Sequence, residues 1–171
     1  MKITAYRIFQ PRNQAEAFTG QGASRYPGRW NHPGIRMIYM AGSLSLAAME
    51  MLVHLDEAKI LNLFTYIPVF FDAGLCRDLP AGQLPKDWAQ DPVPASTREI
   101  GTRWIQKQES LALAVPSAVV SIEKNYLINP LHPDFDKLEI GKPSPFRFDE
   151  RLVKIIKPKK TVGMGNRQIN P

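Results

Sequence analysis

Short apolar runs separated by Pro- and Gly-rich stretches dominate the chain, and their spacing predicts more strands than helices. ITAYRIF (3–9) and FTYIPVFF (64–71) read as strands; Pro68 marks the second as an edge or bulge, because proline has no amide to give a ladder. IRMIYMA (35–41) is another strand, ended by Gly42. Ser43 then stands where an N-cap belongs, ahead of a helix over LSLAAMEMLVHL (44–55). STREIGTRWIQKQES (96–110) has amphipathic helical spacing, with Ser96 or Thr97 as cap. LALAVPSAVVS (111–121) predicts a buried strand interrupted by Pro116. KNYLINPLHPDF (124–135) predicts a strand running into a Pro-punctuated loop, and FRFDERLV (146–153) a closing strand of period two. Residues 10–34 and 74–94 are turn-rich, and residues 158–171 read as a basic, disordered tail. No regular helices separate the strands, so the expected class is α+β rather than a doubly wound sheet.

Within this pattern Glu50 is out of place. It sits in a helix that is apolar nearly all round, and a carboxylate there must find a partner or bear a large desolvation cost. Two readings stand: Glu50 and His54 mark a narrow solvent stripe, or Glu50 faces a cleft lined by arginines from the first third of the chain. Residues 1–49 carry Lys2, Arg7, Arg12, Arg25, Arg29 and Arg36 against Glu16 alone. Guanidinium groups pair phosphate oxygens two at a time, which suits a compact anion.

The net charge of +6 changes the picture less than it first suggests. Residues 1–150 hold 16 acids and 16 Lys or Arg, so the body is formally neutral; the excess is the six cations after residue 150. That distribution, without interleaved aromatics and cations on one face, argues against direct nucleic-acid binding. No apolar run is long enough to span a bilayer, the first residues lack a secretory h-region, and Cys76 is the one cysteine. A reducing, cytoplasmic setting is expected, with Cys76 a spectator thiol.

The loop YPGRWNHPG (26–34) places Arg29, Trp30, Asn31 and His32 between turn-forming glycines and prolines, more chemistry than a reversal needs. Ser117, beside Pro116 in an apolar strand, is a satisfied core serine or a catalytic one; no nucleophile-elbow motif surrounds it. His32, His54 and His132 lack metal-ligand spacing, so no metal is expected. Tyr39 reads as core and Asn129, before Pro130, as a turn former. Nucleotide motifs of the Rossmann or P-loop kind are absent.

Taken in order, YRIF, FTGQGASRYPGRWN, MIYMAGSLSLAAMEMLVHL, LALAVPSAVV and EKNYLINPLHPDF resemble the RES-domain toxin family over residues 5–153. Pro27 departs from the family pattern, which often has a second glycine before Gly-Arg-Trp. The resemblance implies a RES-type NAD-binding catalytic domain over residues 1–157, with a twisted, split β core and flanking helices like those of ADP-ribosylating toxins. It implies no prosthetic group, with NAD as substrate, cleaved at the nicotinamide–ribose bond by hydrolysis or phosphorolysis and causing growth arrest. The alternatives are transfer of ADP-ribose to a protein acceptor and, from a different class, an RNA-acting or non-catalytic binding toxin. A helix-turn-helix antitoxin is the expected partner, with a homodimer left open. Arg29, Glu50 and Ser117 are the expected catalytic residues. Arg7, Arg29, Tyr39, His54 and Asn129 form the expected binding set: Arg7 and Arg29 for phosphate, Tyr39 for stacking on the nicotinamide, His54 for orienting Glu50. Ser117 is expected to bond the carboxamide or a ribose, while Trp30 anchors the loop and Asn31 fixes its turn.

Overall fold

A computed structural model describes residues 1–55 and 62–152. The longest apolar alternations form its spine: β1 (Lys2–Phe9) pairs antiparallel with β3 (Phe64–Asp72) from Lys2 opposite Asp72 to Phe9 opposite Thr65. Along β3 the odd positions Ile67, Val69 and Phe71 point into the core, as a period-two strand requires. The remaining strands are β2 (Ile38–Ala41), β4 (Cys76–Asp78), β5 (Ala112–Pro116), β6 (Lys124–Ile128), β7 (Glu139–Ile140) and β8 (Ser144–Phe146). The sheet runs β4-β5-β6-β2-β1-β3-β7, with β8 also paired to β3 and β4 parallel to β5. Among the described residues the helices are α1 (Gln21–Arg25), α2 (Leu44–Leu52) and α3 (Ala95–Lys107), with short 3-10 turns between elements.

One join in this sheet is weak, and it makes the site. β1 and β2 share a single bridging pair, Tyr6 opposite Ala41. Beyond it the Arg7 side chain takes over, its Nη1 donating to the Tyr39 carbonyl at 3.0 Å. A side-chain donor thus satisfies a strand carbonyl that a continuous ladder would have claimed. This is the split β core that the family resemblance implies.

One face of the sheet buries Ala5, Phe9, Ile38, Met40, Ile67, Val69 and Phe71. On the other face α3 lays Trp104 and Ile105 over Leu113, Val115 and Leu127, with Trp30 and Met37 in the same cluster. Leu46 and Ala47 of α2 cover Ala41 beside Tyr6 and Ile8. Ser43 caps α2, accepting from the Leu46 amide at 3.0 Å, where the sequence predicts it.

Several boundaries differ from expectation. α3 starts after Pro94 with no side-chain cap: Thr97 donates instead to the Pro94 carbonyl and Ser96 to Asp87. Of the closing strand expected over 146–153, the described residues keep only its start: β8 ends at Phe146, and 147–152 form no strand. Its apolar alternation is real, since Phe146 and Phe148 both stack edge-on in an aromatic cluster with Phe64. Asp149 then turns the chain by accepting from the Arg151 amide and guanidinium. Pro116 ends β5 rather than interrupting it, and α1 and β4 occupy stretches expected to be loop. The Pro68 carbonyl accepts from Gly141 at 2.8 Å. Its ring nitrogen therefore faces the turn between β7 and β8, where no ladder amide is needed. The basic tail, 158–171, lies outside the described residues.

Cys76 sits half-buried on β4, and burial pushes its thiol up to about 11, helped by the Asp78 carboxylate. At pH 8 the thiolate is then on the order of one part in a thousand, against roughly a quarter for a free cysteine. Native protein should react with iodoacetamide at pH 8 at least about tenfold more slowly than unfolded chain, and faster as the pH approaches 11. Equal rates in the two states would remove the spectator assignment.

Candidate active site

A cleft of about 880 Å³ opens where β1 and β2 part. Its floor includes Tyr6, Arg7, Tyr39 and Ala41; α2 supplies Glu50 and Met51 on one wall, with His54 in the turn that follows, because α2 ends at Leu52 rather than at 55 as expected; the loop carrying Tyr26, Gly28 and Arg29 forms the other. Ala89, Asp91 and Val93 reach the rim, and Pro116, Ala118, Val119 and Asn125 close the far side. The volume lies toward the upper end of small-molecule sites.

Glu50 faces this cleft rather than a solvent stripe. Its Oε1 accepts from Ser117 Oγ at 2.7 Å and from Asn125 Nδ2 at 2.5 Å. Ser117 is fully buried and also accepts from the Val119 and Val120 amides, each at 3.0 Å. The single hydroxyl proton goes to Glu50 and both lone pairs are taken, so Ser117 has no bonding capacity left for a ligand. It stands behind Glu50 and holds it. Both bonds found among the described residues land on Oε1, which leaves the other carboxylate oxygen for the cleft.

The opposite wall is built around Asn31. This side chain is wholly buried, accepts from the Gly28 amide and the Tyr39 hydroxyl, and donates to the Ala23, His32 and Ile35 carbonyls. The Tyr39 hydroxyl accepts in turn from the Trp30 amide at 3.0 Å. Burial pushes the Tyr39 phenol well above its ordinary value, so it stays a neutral donor here. A Cβ at Gly28 would lie 2.7 Å from the Tyr39 ring and hydroxyl, so only glycine lets the loop cross the tyrosine. Trp30 is 2% exposed and anchors the loop in the core, as expected. Arg29 is half-buried, with Nη1 donating to the Trp88 and Gln90 carbonyls; this ties the rim of the cleft to the loop. Burial pulls the Arg7 guanidinium down to about 10, which leaves it cationic at neutral pH.

The structure therefore gathers Arg7, Arg29, Tyr39, Glu50 and His54 at one cleft, with Ser117 directly behind it. Asn129 stands apart: it is buried under α3, its Oδ1 accepting from Leu131 and its Nδ2 pointing to the Ile105 carbonyl. It is the turn former that Asn-Pro implies, and it does not reach the cleft. Sequence reasoning passes over Asn125, which meets Glu50, and Arg98, whose Nε donates to the Gly28 carbonyl. Among the described residues no three His, Cys, Asp or Glu side chains form a metal-binding group, and no helix is long and apolar enough to cross a membrane.

A split α+β fold with a carboxylate and two arginines lining one cleft defines the class, and comparison places the chain within it. The RES domain model matches residues 4–149. A protein named Toxin Res from Yersinia enterocolitica is 42% identical over 148 residues, covering 86% of this chain and 97% of the relative. A Prs ADP-ribosylating toxin from Sphingobium sp. is 34% identical over 144 residues, covering 82% and 89%. The fold matches a chain in the crystal structure of the M. tuberculosis MbcT–MbcA toxin–antitoxin complex, with TM-score 0.68 and 18% identity over 91% of this chain and 89% of that one. The chain belongs to the RES-domain toxin family.

Proposed function

We propose that the chain is the toxin of a toxin–antitoxin pair and consumes NAD by cleaving its nicotinamide–ribose bond. The observation that carries this reading is Glu50, held by Ser117 and Asn125 at the wall of a cleft that also presents Arg7 and Arg29. In the reaction the bond from ribose C1′ to the pyridinium nitrogen breaks, and its electron pair neutralises the departing nicotinamide. Positive charge builds on the ribosyl centre, as in glycoside chemistry, and a fixed carboxylate stabilises it or grips a ribose hydroxyl. An acceptor oxygen then bonds to C1′ and releases its proton. Arg7 and Arg29 suit the pyrophosphate, the Tyr39 ring lines the same floor, and His54 lines the cleft from the turn after α2. A helix-turn-helix antitoxin that covers the cleft would silence the activity inside the cell.

The second reading is transfer of ADP-ribose to a protein, favoured by the name of the Sphingobium relative. Incubation with NAD, with and without phosphate, tests both. Free nicotinamide with ADP-ribose or its 1-phosphate supports consumption, whereas label moving from NAD to macromolecules in a lysate supports transfer. A folded, antitoxin-free protein that yields neither would overturn both. Replacing Ser117 with Ala should lower kcat about tenfold while KM stays close to the parent value, since it removes one bond that fixes Glu50 and none to substrate. A KM that rises in step would return Ser117 to the substrate's contacts.

A further inference from the structure

We propose that Asn125 performs two tasks at once: its amide NH2 fixes Glu50, and its side-chain carbonyl accepts a hydrogen bond from a donor that the substrate carries beside the bond that breaks. The inference rests on the NAD-consuming reading and gives that site a further substrate contact.

Among the described residues two buried side-chain polar atoms lack a hydrogen-bond partner, Arg7 Nε and Asn125 Oδ1. Both residues line the cleft. Neither atom is open to solvent here, so a ligand meets them only as the side chains lining the cleft give way on binding; a protein seldom leaves such atoms unpaired, and two orphans among the lining residues point to a ligand that completes them. The orientation of the amide is fixed by chemistry. Turned over, Asn125 would set its oxygen against the Glu50 carboxylate at the 2.5 Å where the NH2 now donates, bringing two acceptors together. So Nδ2 is committed to Glu50 and Oδ1 is free.

The sheet explains why this position can do both. Asn125 on β6 lies opposite Ala41 on β2, and Ala41 lies opposite Tyr6 on β1. That row crosses the single bridge between β1 and β2, and Arg7 is the next residue of β1. Arg7 Nε calls for an acceptor and Asn125 Oδ1 for a donor. A dinucleotide presents both kinds of group around its scissile bond: the ribose hydroxyls, and the carboxamide with its oxygen and NH2. Glu50 therefore marks where charge develops, and Asn125, bonded to it, registers the substrate against that charge.

The test removes the positioning task so that only the substrate contact is read. In the Glu50→Ala protein Asn125 has no carboxylate to hold. NAD binding to E50A and to E50A combined with Asn125→Ala is compared by calorimetry, with circular dichroism confirming the fold. If the double variant does not fold, Asn125→Leu, which keeps the volume and removes both polar atoms, takes its place. The expected result is a loss of affinity of about tenfold on removing Asn125, the size of one well-made hydrogen bond. The donor is identified with 3-acetylpyridine adenine dinucleotide, which lacks the carboxamide N–H, and with an NAD analogue lacking the ribose 2′-hydroxyl. The extra loss disappears for the analogue missing the group that Asn125 reads. Equal affinity of the two proteins for NAD would overturn the inference, even where the parent protein consumes NAD. A parent that neither consumes nor transfers ADP-ribose from NAD, and an E50A protein that does not bind it, would instead remove the functional reading beneath it.

Discussion

Replacing Glu50 with Ala should lower NAD consumption by about a thousandfold while leaving the folded structure and its unfolding temperature nearly unchanged. The rate loss follows from position and charge together. A fixed group aimed at charge that forms only in the transition state is commonly worth a factor of about 10² to 10³, and here the group carries a full negative charge. Stability should move by no more than about 1 kcal/mol, because the donors left behind adjoin an open cleft where water replaces the carboxylate. Ser117 also keeps its bonds to two backbone amides. Glu50→Gln separates the two contributions: it retains an acceptor for Ser117 Oγ and Asn125 Nδ2 but carries no charge. Nicotinamide release measured for both variants should be close to zero. A Gln variant that keeps the parent rate would show that geometry, not charge, is what residue 50 contributes.

The prominence of Glu50 was legible in the sequence because burial of a carboxylate is costly wherever it occurs, and an apolar helix makes the exception visible. Its partners were not legible. Ser117 and Asn125 lie 67 and 75 positions away, and only the pairing of β6 with β2 and β5 brings them to α2. Local pattern carries no information about such registers. The family resemblance drew Asn129 into the binding set, and it lies just past the end of β6, four residues beyond Asn125. Four residues along a strand span about 13 Å, so one asparagine reaches the cleft and the other lies beneath α3. Tyr39 shows a different limit. An aromatic residue on a short apolar strand reads as core, and its ring does support the loop above it. That its hydroxyl would sit between the Trp30 amide and Asn31 follows from Gly28 crossing the ring, a contact between elements. The arginines divide likewise: their excess in the first third announced an anion site, yet Arg7 also patches the split in the sheet and Arg29 also holds the rim.

Replacing Gly101 with Ala should destabilise the protein by about 3 kcal/mol or more, although alanine is the better helix former. On helix propensity alone the change would stabilise α3 by about 1 kcal/mol. Packing opposes this gain and outweighs it. A Cβ at residue 101 would stand 2.0 Å from the Trp30 carbonyl oxygen and 2.9 Å from the Trp30 carbonyl carbon. Both are backbone atoms, so no rotamer change relieves the clash; α3 must lift from the loop or the loop must shift. Overpacking of this kind commonly costs about 1 to 3 kcal/mol, and a contact between two backbones belongs at the top of that range. For a domain of this size the corresponding fall in Tm is roughly 6 to 12 °C. The displaced contacts are also those that hold the cleft wall. α3 receives the His32 amide on Thr102 and sends Arg98 Nε to the Gly28 carbonyl, on either side of Arg29 and Trp30. Turnover should therefore fall even at temperatures where the variant remains folded, with a larger effect on KM than on the Glu50-dependent chemical step. A rise in Tm would show that α3 can move off Trp30 at no cost, and the close approach at Gly101 would then have no part in seating the arginine loop.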